Sequence, residues 1–186
     1  TEGYADMIQK GIGGKVVRFH VLANSDSEAD QTLKLAVRDR VLQEYGDLLE
    51  TCTSKEETLA ALKNAQQEIS ETAEAEVLAQ GYTYPVRVSL VREEFPFKKY
   101  GDLIFPAGVY DALRIEIGEA KGKNWWCVLY PQMCYVDAAW GYSTEESHVR
   151  LQNTLTKEEF LVVSAMEQKK VAPKIKCRLV ELWSER

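Results

Sequence analysis

The chain changes its hydrophobic period near Tyr82, and this change limits the folds that are open to it. Residues 28–49 and 54–80 place apolar side chains three, four or seven positions apart, a spacing typical of amphipathic helices. From Val86 onward apolar and polar residues alternate instead, which is typical of strands with one buried face. Long helices that are followed by alternating strands predict an α+β protein.

The strands predict a sheet with two chemically different faces. Before the helices, Val17, Phe19 and Val21 alternate with Arg18 and His20. Later segments alternate in the same way, and Trp125 and Trp126, as strand neighbours, should point to opposite faces. The predicted elements after the helices are strands near 86–91, 100–105, 113–117 and 125–130, a helix over 156–169 and a last strand over 175–179.

These elements predict a two-layer sandwich, in which two long helices cover one face of an antiparallel meander sheet. Residues 1–14 contain four glycines and predict a flexible lead-in, and residues 15–186 predict a single domain. Ser25, Ser54 and Thr156 each precede a Glu by three positions, which predicts capping boxes at three helix starts. No run of 18 apolar residues is present, so the protein should be peripheral to a membrane at most.

The uncovered sheet face should be wet and mostly basic. Residues 24–80 hold 13 acidic and 5 basic side chains, so the helices carry the excess negative charge. The face is either an ordinary solvated surface or a docking site for a partner. Its predicted side chains are Arg18, His20, Arg87, Ser89, Arg114, Glu116, Lys176 and Arg178.

Several functional classes are disfavoured by composition and motifs. The net charge of −6 argues against nucleic-acid binding. No metal-ligand spacing, phosphate-binding loop or nucleophile elbow is present, so neither a metal nor another cofactor is predicted. A nucleophile could still be assembled from His20 with Cys127 or Cys134, or from His20 with Ser25 and Asp26.

Cys127 and Cys134 flank a short segment in which Pro131 can turn the chain. A disulfide across so small a loop would stabilise the fold by about 2.5 kcal/mol, and it would form only in an oxidising compartment. The alternative is a pair of buried free thiols. We predict the bond in the protein's native compartment.

Two ordered blocks of residues resemble a known family. The first runs from Val17-Arg18-Phe19-His20 through Asn24-Ser25-Asp26-Ser27 to the Val37-Arg38-Asp39 segment. The second contains Pro106-Ala107-Gly108, Ala112-Leu113-Arg114 and the run from Gly122 through Trp125-Trp126-Cys127 to Pro131 and Cys134. Together they are similar to stage II sporulation protein R over about residues 15–137, whereas residues from 138 onward match no pattern of that family.

The resemblance implies a signalling protein and not an enzyme. Members of this family are made in the forespore and exported into the space between the forespore and mother-cell membranes. There they activate a membrane-embedded aspartic protease, which processes a mother-cell pro-sigma factor. The rival hypothesis is a cell-envelope hydrolase that uses His20 with a Cys or Ser nucleophile.

We predict that contact with the protease involves the end of the first strand, the tryptophan pair and the basic sheet face. The residues predicted for partner binding are Arg18, His20, Asn24, Asp26, Arg87, Arg114, Trp125 and Trp126. The oligomeric state of the ligand does not follow from the sequence.

Overall fold

The structure is a computed structural model that describes residues 2–134 and 145–164. Within these residues the chain forms six helices and six strands, which confirms the predicted α+β class. In chain order they are α1 Glu2–Lys15, β1 Val17–Leu22, α2 Glu28–Glu50, α3 Lys55–Asn64, α4 Gln66–Ala79, β2 Val86–Phe95, β3 Lys98–Tyr100, β4 Leu103–Phe105, β5 Gly108–Ile117, β6 Asn124–Tyr130, α5 Glu145–Thr154 and α6 Lys157–Ser164. The predicted strand over 175–179, with Lys176 and Arg178, lies outside the described residues.

The main sheet has four strands in the order β2-β5-β1-β6, and β3 pairs with β4 in a separate small sheet. β1 runs parallel to β5 and antiparallel to β6, while β2 runs antiparallel to β5. The predicted antiparallel meander is therefore wrong, because the first strand is inserted between two later ones. Burial explains this position: all five residues from Val17 to Val21 are buried, as expected for a central strand.

Helices α2, α3 and α4 cover the first face of the sheet and enclose the larger core. Phe19, Ile69 and Ile115 are fully buried there. The helical pattern over 54–80 is divided at Ala65, so that α3 contacts β1 and β6 whereas α4 packs on β2. The division lets one helical stretch follow the twisted surface of the sheet.

The second face of the sheet is also covered at one end, so the prediction of a single covered face is wrong. The cover consists of α1, α5, α6 and the β3–β4 hairpin, which enclose a second core. The predicted lead-in is helical, and its Ile8 and Ile12 are buried in this core. Gly13 permits the packing, because a Cβ there would collide with the carbonyl oxygen of Val109.

The helix starts agree with the sequence prediction at two of three positions. The hydroxyls of Ser54 and Thr156 each accept a hydrogen bond from the backbone N–H three residues later. α2 begins two residues later than predicted, because Ser27 accepts a hydrogen bond from the backbone N–H of Asp30 and is the N-cap. Ser25, predicted for this role, donates its hydroxyl to the Asp30 carboxylate instead.

Helix α5 lies in a region without a clear apolar period. Only Ser147 and Leu151 are buried in it, so its sequence carries little helical signal. Neither α5 nor any other helix within residues 2–134 and 145–164 is long and apolar enough to cross a membrane.

Gly118, at the end of β5, provides a test of the backbone geometry. Its φ is +61°, and a Cβ would collide with the side chain of Asn24. We expect Gly118→Ala to lower the free energy of unfolding by about 1–3 kcal/mol, measured by urea denaturation. Gly14→Ala is the matched control, because Gly14 lies in α1 with open space around it and should be neutral or slightly stabilising. Equal effects of the two substitutions would contradict the geometry.

Candidate functional site

The strand registers place five predicted site residues on the second sheet face, namely Arg18, His20, Arg87, Arg114 and Trp126. His20 lies between Arg114 on β5 and Trp126 on β6, and Arg18 lies one row further along β1. Their common face is confirmed, but the predicted exposure of the β1 residues is wrong. The exposed fraction is 0% for Arg18 and 5% for His20, because Arg18 enters the second core and His20 lies at its border.

Arg18 is enclosed by aromatic rings. Its Nε donates a hydrogen bond to the carbonyl of Cys127 at 3.2 Å, and its Nη2 donates to the hydroxyl of Tyr100 at 2.8 Å. The guanidinium carbon lies between 4.8 and 5.8 Å from the ring centres of Phe95, Tyr110, Phe105 and Tyr100.

The aromatic rings take the place of solvent around this cation. Burying a charge is costly unless other groups compensate for the lost water, and ring faces attract a guanidinium. Burial also raises the pKa of Tyr100 well above its ordinary value, so the hydroxyl stays protonated. Arg18 therefore stabilises the second core, and it is not available for direct contact with a partner.

His20 is fixed between a ring and a carboxylate. Its imidazole stacks on Trp126 with 4.0 Å between ring centres and 11° between planes. Its Nδ1 lies 2.8 Å from an oxygen of Glu93. Burial lowers the pKa of His20, although Glu93 acts in the opposite direction. The imidazole is therefore mostly neutral at pH 7 and donates its Nδ1–H to Glu93, since a carboxylate can only accept.

The predicted basic face is largely neutralised by neighbouring carboxylates. Arg114 donates to Glu93 at 3.1 Å and to Glu116 at 2.7 Å. Arg87 lies 3.5 Å from Glu116, and 77% of its side chain is exposed. The face is therefore a row of ion pairs, in which Arg87 extends furthest into solvent.

Trp126 marks the open end of this face. Phe95 supports its ring edge-on at 4.9 Å, and the Nζ of Lys98 lies 5.0 Å from its ring centre. Phe97, in the turn between β2 and β3, is 48% exposed. We call His20, Glu93, Lys98, Arg114 and Trp126 the tryptophan patch. A supported aromatic ring beside cations is typical of a binding anchor.

Trp125 points to the opposite face, as predicted. Phe19 contacts its ring edge-on at 5.7 Å, and the guanidinium of Arg38 lies 4.7 Å from its ring centre. The ring is half-buried at the margin of the larger core. Its observed contacts are therefore internal to the chain.

Asn24 and Asp26 join two loops, a role that sequence reasoning missed. Asn24 donates its amide to Asp30 and accepts the backbone N–H of Glu119, both at 2.9 Å. Asp26 accepts the backbone N–H of Lys123 at 2.6 Å. Hydrogen bonds from Ser25 and Asn24 lower the pKa of Asp30. The sequence signalled only a local turn and helix start here, because the bonds to Glu119 and Lys123 join positions that are 95 and 97 residues apart.

Comparison with known proteins now identifies the family. Residues 13–140 match the family described as stage II sporulation protein R. The chain belongs to this family. It is 32% identical over 184 residues to Stage II sporulation protein R of Bacillus subtilis (strain 168), and the alignment covers 94% of this chain and 82% of that protein. No solved structure matches the chain.

Family membership confirms the resemblance found in the sequence and supports a function in sporulation. The family is named for a stage of sporulation and not for an enzymatic activity. The eight residues that were predicted for partner binding all lie within the matched region.

The structure gives the hydrolase hypothesis no support. Cys127 and Cys134 lie in the larger core, on the opposite side of the sheet from His20. Ser25 is bonded to Asp30 in the loop after β1. In the described part of the chain, no group of three or more His, Cys, Asp or Glu side chains is placed to hold a metal ion.

Cys127 and Cys134 are buried free thiols that lie close together. Both donate to the carbonyl oxygen of Val128, Cys134 at 3.1 Å and Cys127 at 3.8 Å. Burial, followed by the interaction with Cys127, raises the pKa of the Cys134 thiol. Such a thiol exchanges slowly, since the thiolate is the reactive form. The bond is not formed in this structure, and its formation in an oxidising compartment stays a prediction.

The neutral state of His20 predicts an acid-sensitive fold. Its folded pKa lies below the ordinary value of 6.5, so the unfolded chain binds the proton more readily. The contribution of the neutral His20 imidazole to the free energy of unfolding is complete above pH 6.5, and it is lost as the pH falls through the folded pKa of His20. We expect urea denaturation between about pH 7.5 and pH 5.5 to show this loss, and His20→Gln to reduce it.

His148→Gln is the control for this measurement, because it removes the other histidine of the chain and leaves His20 in place. It should retain the His20-dependent loss of stability. A pH dependence that is the same in the unmodified protein and in His20→Gln would contradict the burial of a neutral imidazole.

Thiol titration tests the predicted disulfide. Protein exported from cells and denatured without reductant should show two free thiols fewer than protein kept reduced. The matched Cys127→Ser and Cys134→Ser variants should each abolish that difference. Four free thiols in the exported protein would be incompatible with the bond.

Proposed function

We propose that this protein is a secreted sporulation signal that activates a membrane-embedded aspartic protease of the mother cell. The activated protease then processes a mother-cell pro-sigma factor. The signal acts in the space between the forespore and mother-cell membranes. Family membership and the two sequence blocks support this proposal, and it requires neither cofactor nor nucleic acid.

Activation by a ligand has a thermodynamic requirement. The protease must have at least two states, and the ligand must bind the active state more tightly. A ligand with equal affinity for both states would shift nothing. The docking surface must therefore recognise a shape or charge arrangement that the active protease presents.

The tryptophan patch is the surface that we propose for this contact, and Trp126 carries the proposal. Trp126 lies within the matched region, and its ring borders the open end of the sheet face beneath the Nζ of Lys98. The internal contacts of Arg18, Asn24, Asp26 and Trp125 make those four residues part of the scaffold that holds the patch.

The patch is also stiff, which favours tight association. The stack on His20 and the edge contact with Phe95 fix the Trp126 ring before any partner arrives. Glu93 fixes both His20 and Arg114. A side chain that is already ordered loses little rotamer freedom on binding, so more of its contact energy appears as affinity.

Charge reversal at Lys98, which is half-buried over Trp126, and at the exposed Arg87 beside the patch tests the surface. We expect Lys98→Glu and Arg87→Glu each to reduce pro-sigma processing in sporulating cells by about tenfold, which corresponds to a binding loss of about 1.4 kcal/mol. Immunoblots of the processed and unprocessed factor provide the measurement. Circular dichroism of the purified variants establishes that they fold.

Arg92→Glu is the matched control. Arg87 and Arg92 are both exposed on β2 and each faces one carboxylate, but Arg92 lies on the opposite side of the strand, beside Asp111. Sporulating cells that carry Arg92→Glu should process the pro-sigma factor normally. Normal processing with folded Lys98→Glu and Arg87→Glu variants would remove the tryptophan patch and the neighbouring Arg87 as the docking surface.

A further inference from the structure

Strand β6 lies at an edge of the main sheet, and it carries both tryptophans. β1 pairs with its inner side, and within residues 2–134 and 145–164 no strand pairs with its outer side. The unpaired backbone N–H and C=O groups of such an edge can bind an added strand. The hydrogen bonds along β6 show which of its residues carry these groups.

Two carbonyl groups establish the direction of the β6 backbone. The carbonyl of Cys127 accepts a hydrogen bond from Arg18 and therefore faces β1. The carbonyl of Val128 accepts the backbone N–H of Met133 at 3.1 Å and therefore faces away from β1. Backbone groups alternate between the two sides of an antiparallel strand. Trp126 consequently directs its N–H and C=O outward, as Val128 does.

The backbone of Asn124 also points outward. Its neighbour Lys123 faces the other way, because the Lys123 N–H donates to Asp26 at 2.6 Å and its carbonyl accepts from Lys34 at 3.0 Å. Among the described residues, no hydrogen bond engages the outward groups of Asn124 or Trp126. We call these outward N–H and C=O groups of Asn124 and Trp126 the β6 edge.

Cations flank the β6 edge on both faces of the sheet. On the second face, the Nζ of Lys98 lies 5.0 Å from the ring centre of Trp126. On the first face, the guanidinium of Arg38 lies over Trp125 and pairs with Asp39. Lys98, by contrast, pairs with no carboxylate of the described residues. A strand added to β6 would place a side chain directly beside the Trp126 ring, where an acidic group would meet Lys98.

We infer that an extended, acidic segment of the partner protein adds to the β6 edge and becomes a fifth strand of the main sheet. Its backbone exchanges hydrogen bonds with Asn124 and Trp126, and a carboxylate across from Trp126 binds Lys98. Backbone pairing supplies affinity in this mode of recognition, while neighbouring side chains select the sequence. Only the owner of the segment, which is the protease, rests on the proposed function.

Amide hydrogen exchange of the isotope-labelled full chain, followed by NMR, tests whether the edge is open. The amides of Asn124 and Trp126 should exchange about tenfold faster than those of Trp125 and Cys127, which face β1. Equal protection of all four amides in the monomer would mean that another part of the chain covers the edge. Protection that grows with protein concentration would assign the edge to a second copy. Either result would overturn the inference.

Synthetic peptides test the occupant. The probe is the blocked peptide Thr-Glu-Val-Glu-Val-Glu-Thr, whose alternation directs every carboxylate to one face of an added strand. At millimolar concentration it should slow the exchange of the Asn124 and Trp126 amides several-fold. The same peptide with Lys in place of Glu should have less effect, and methylation of the Glu nitrogens should abolish the effect. Equal effects of the three peptides, or none, would contradict an acidic strand at this edge.

Asn124→Pro removes one outward donor and leaves the bonds to β1 in place. Proline is tolerated on an edge strand where the N–H faces outward, so the variant should fold, as checked by circular dichroism. Arg92→Pro is the matched control, because Arg92 is exposed on the other edge strand, β2. Its N–H also faces outward, in phase with the Val88 carbonyl that Gln66 binds.

Asn124→Pro should lose the effect of the acidic peptide and reduce pro-sigma processing by about tenfold, whereas Arg92→Pro should retain both. A folded Asn124→Pro variant that still responds to the peptide would rule out the edge. The peptide measurements use isolated protein, so their failure overturns the edge site and leaves the proposed activation standing. Peptide binding to the unmodified protein together with normal processing by Asn124→Pro would instead exclude the protease as the owner of the strand.

Discussion

The guanidinium of Arg18 holds together the part of the fold on which the rest of the structure depends. It extends from the central strand β1 and bonds the backbone of β6 and the hydroxyl of Tyr100 on β3. The rings around it come from β2, β3, β4 and β5. One cation on β1 thus contacts all five of the other described strands. This arrangement requires the β3–β4 hairpin to close over that end of the sheet. Rings and dipoles of these elements offset part of the cost of burying the charge, although the Nη1 of Arg18 has no hydrogen-bond partner among the described residues.

The closed end determines where a functional surface can exist. His20 lies next to Arg18 along the same face of β1, at the border of the covered region. Because it is neutral and bonded to Glu93, it can lie under the Trp126 ring without carrying a second buried charge. Arg114 shares Glu93 with His20, so the ion pairs of the open end and the tryptophan ring are mechanically connected. A partner that contacts Trp126 would contact a surface fixed by the core beneath it.

The residues predicted for partner binding divide into two kinds in this structure. Asn24 and Asp26 hold the loop after β1 against the loop before β6, and Arg18 fills the second core. Such residues have a role in the fold whether or not they contact a partner. Trp126 belongs to the other kind. His20 and Phe95 support its ring from within the fold, and the ring lies at the open end of the sheet face. This division makes the tryptophan patch, and not the whole of the predicted list, the basis of the proposed function.

The sequence by itself determined the α+β class, the helix starts at Ser54 and Thr156, and the opposite directions of Trp125 and Trp126. These features depend on local chemistry, namely side-chain caps and the alternation of a strand. Only the tertiary structure decided that β1 lies at the centre of the sheet, that the glycine-rich start is a packed helix, and that Arg18 is buried. An arginine in an alternating strand normally indicates a solvent face. Here four aromatic rings, distant in the sequence, supply what water would have supplied, and no local pattern records that they meet.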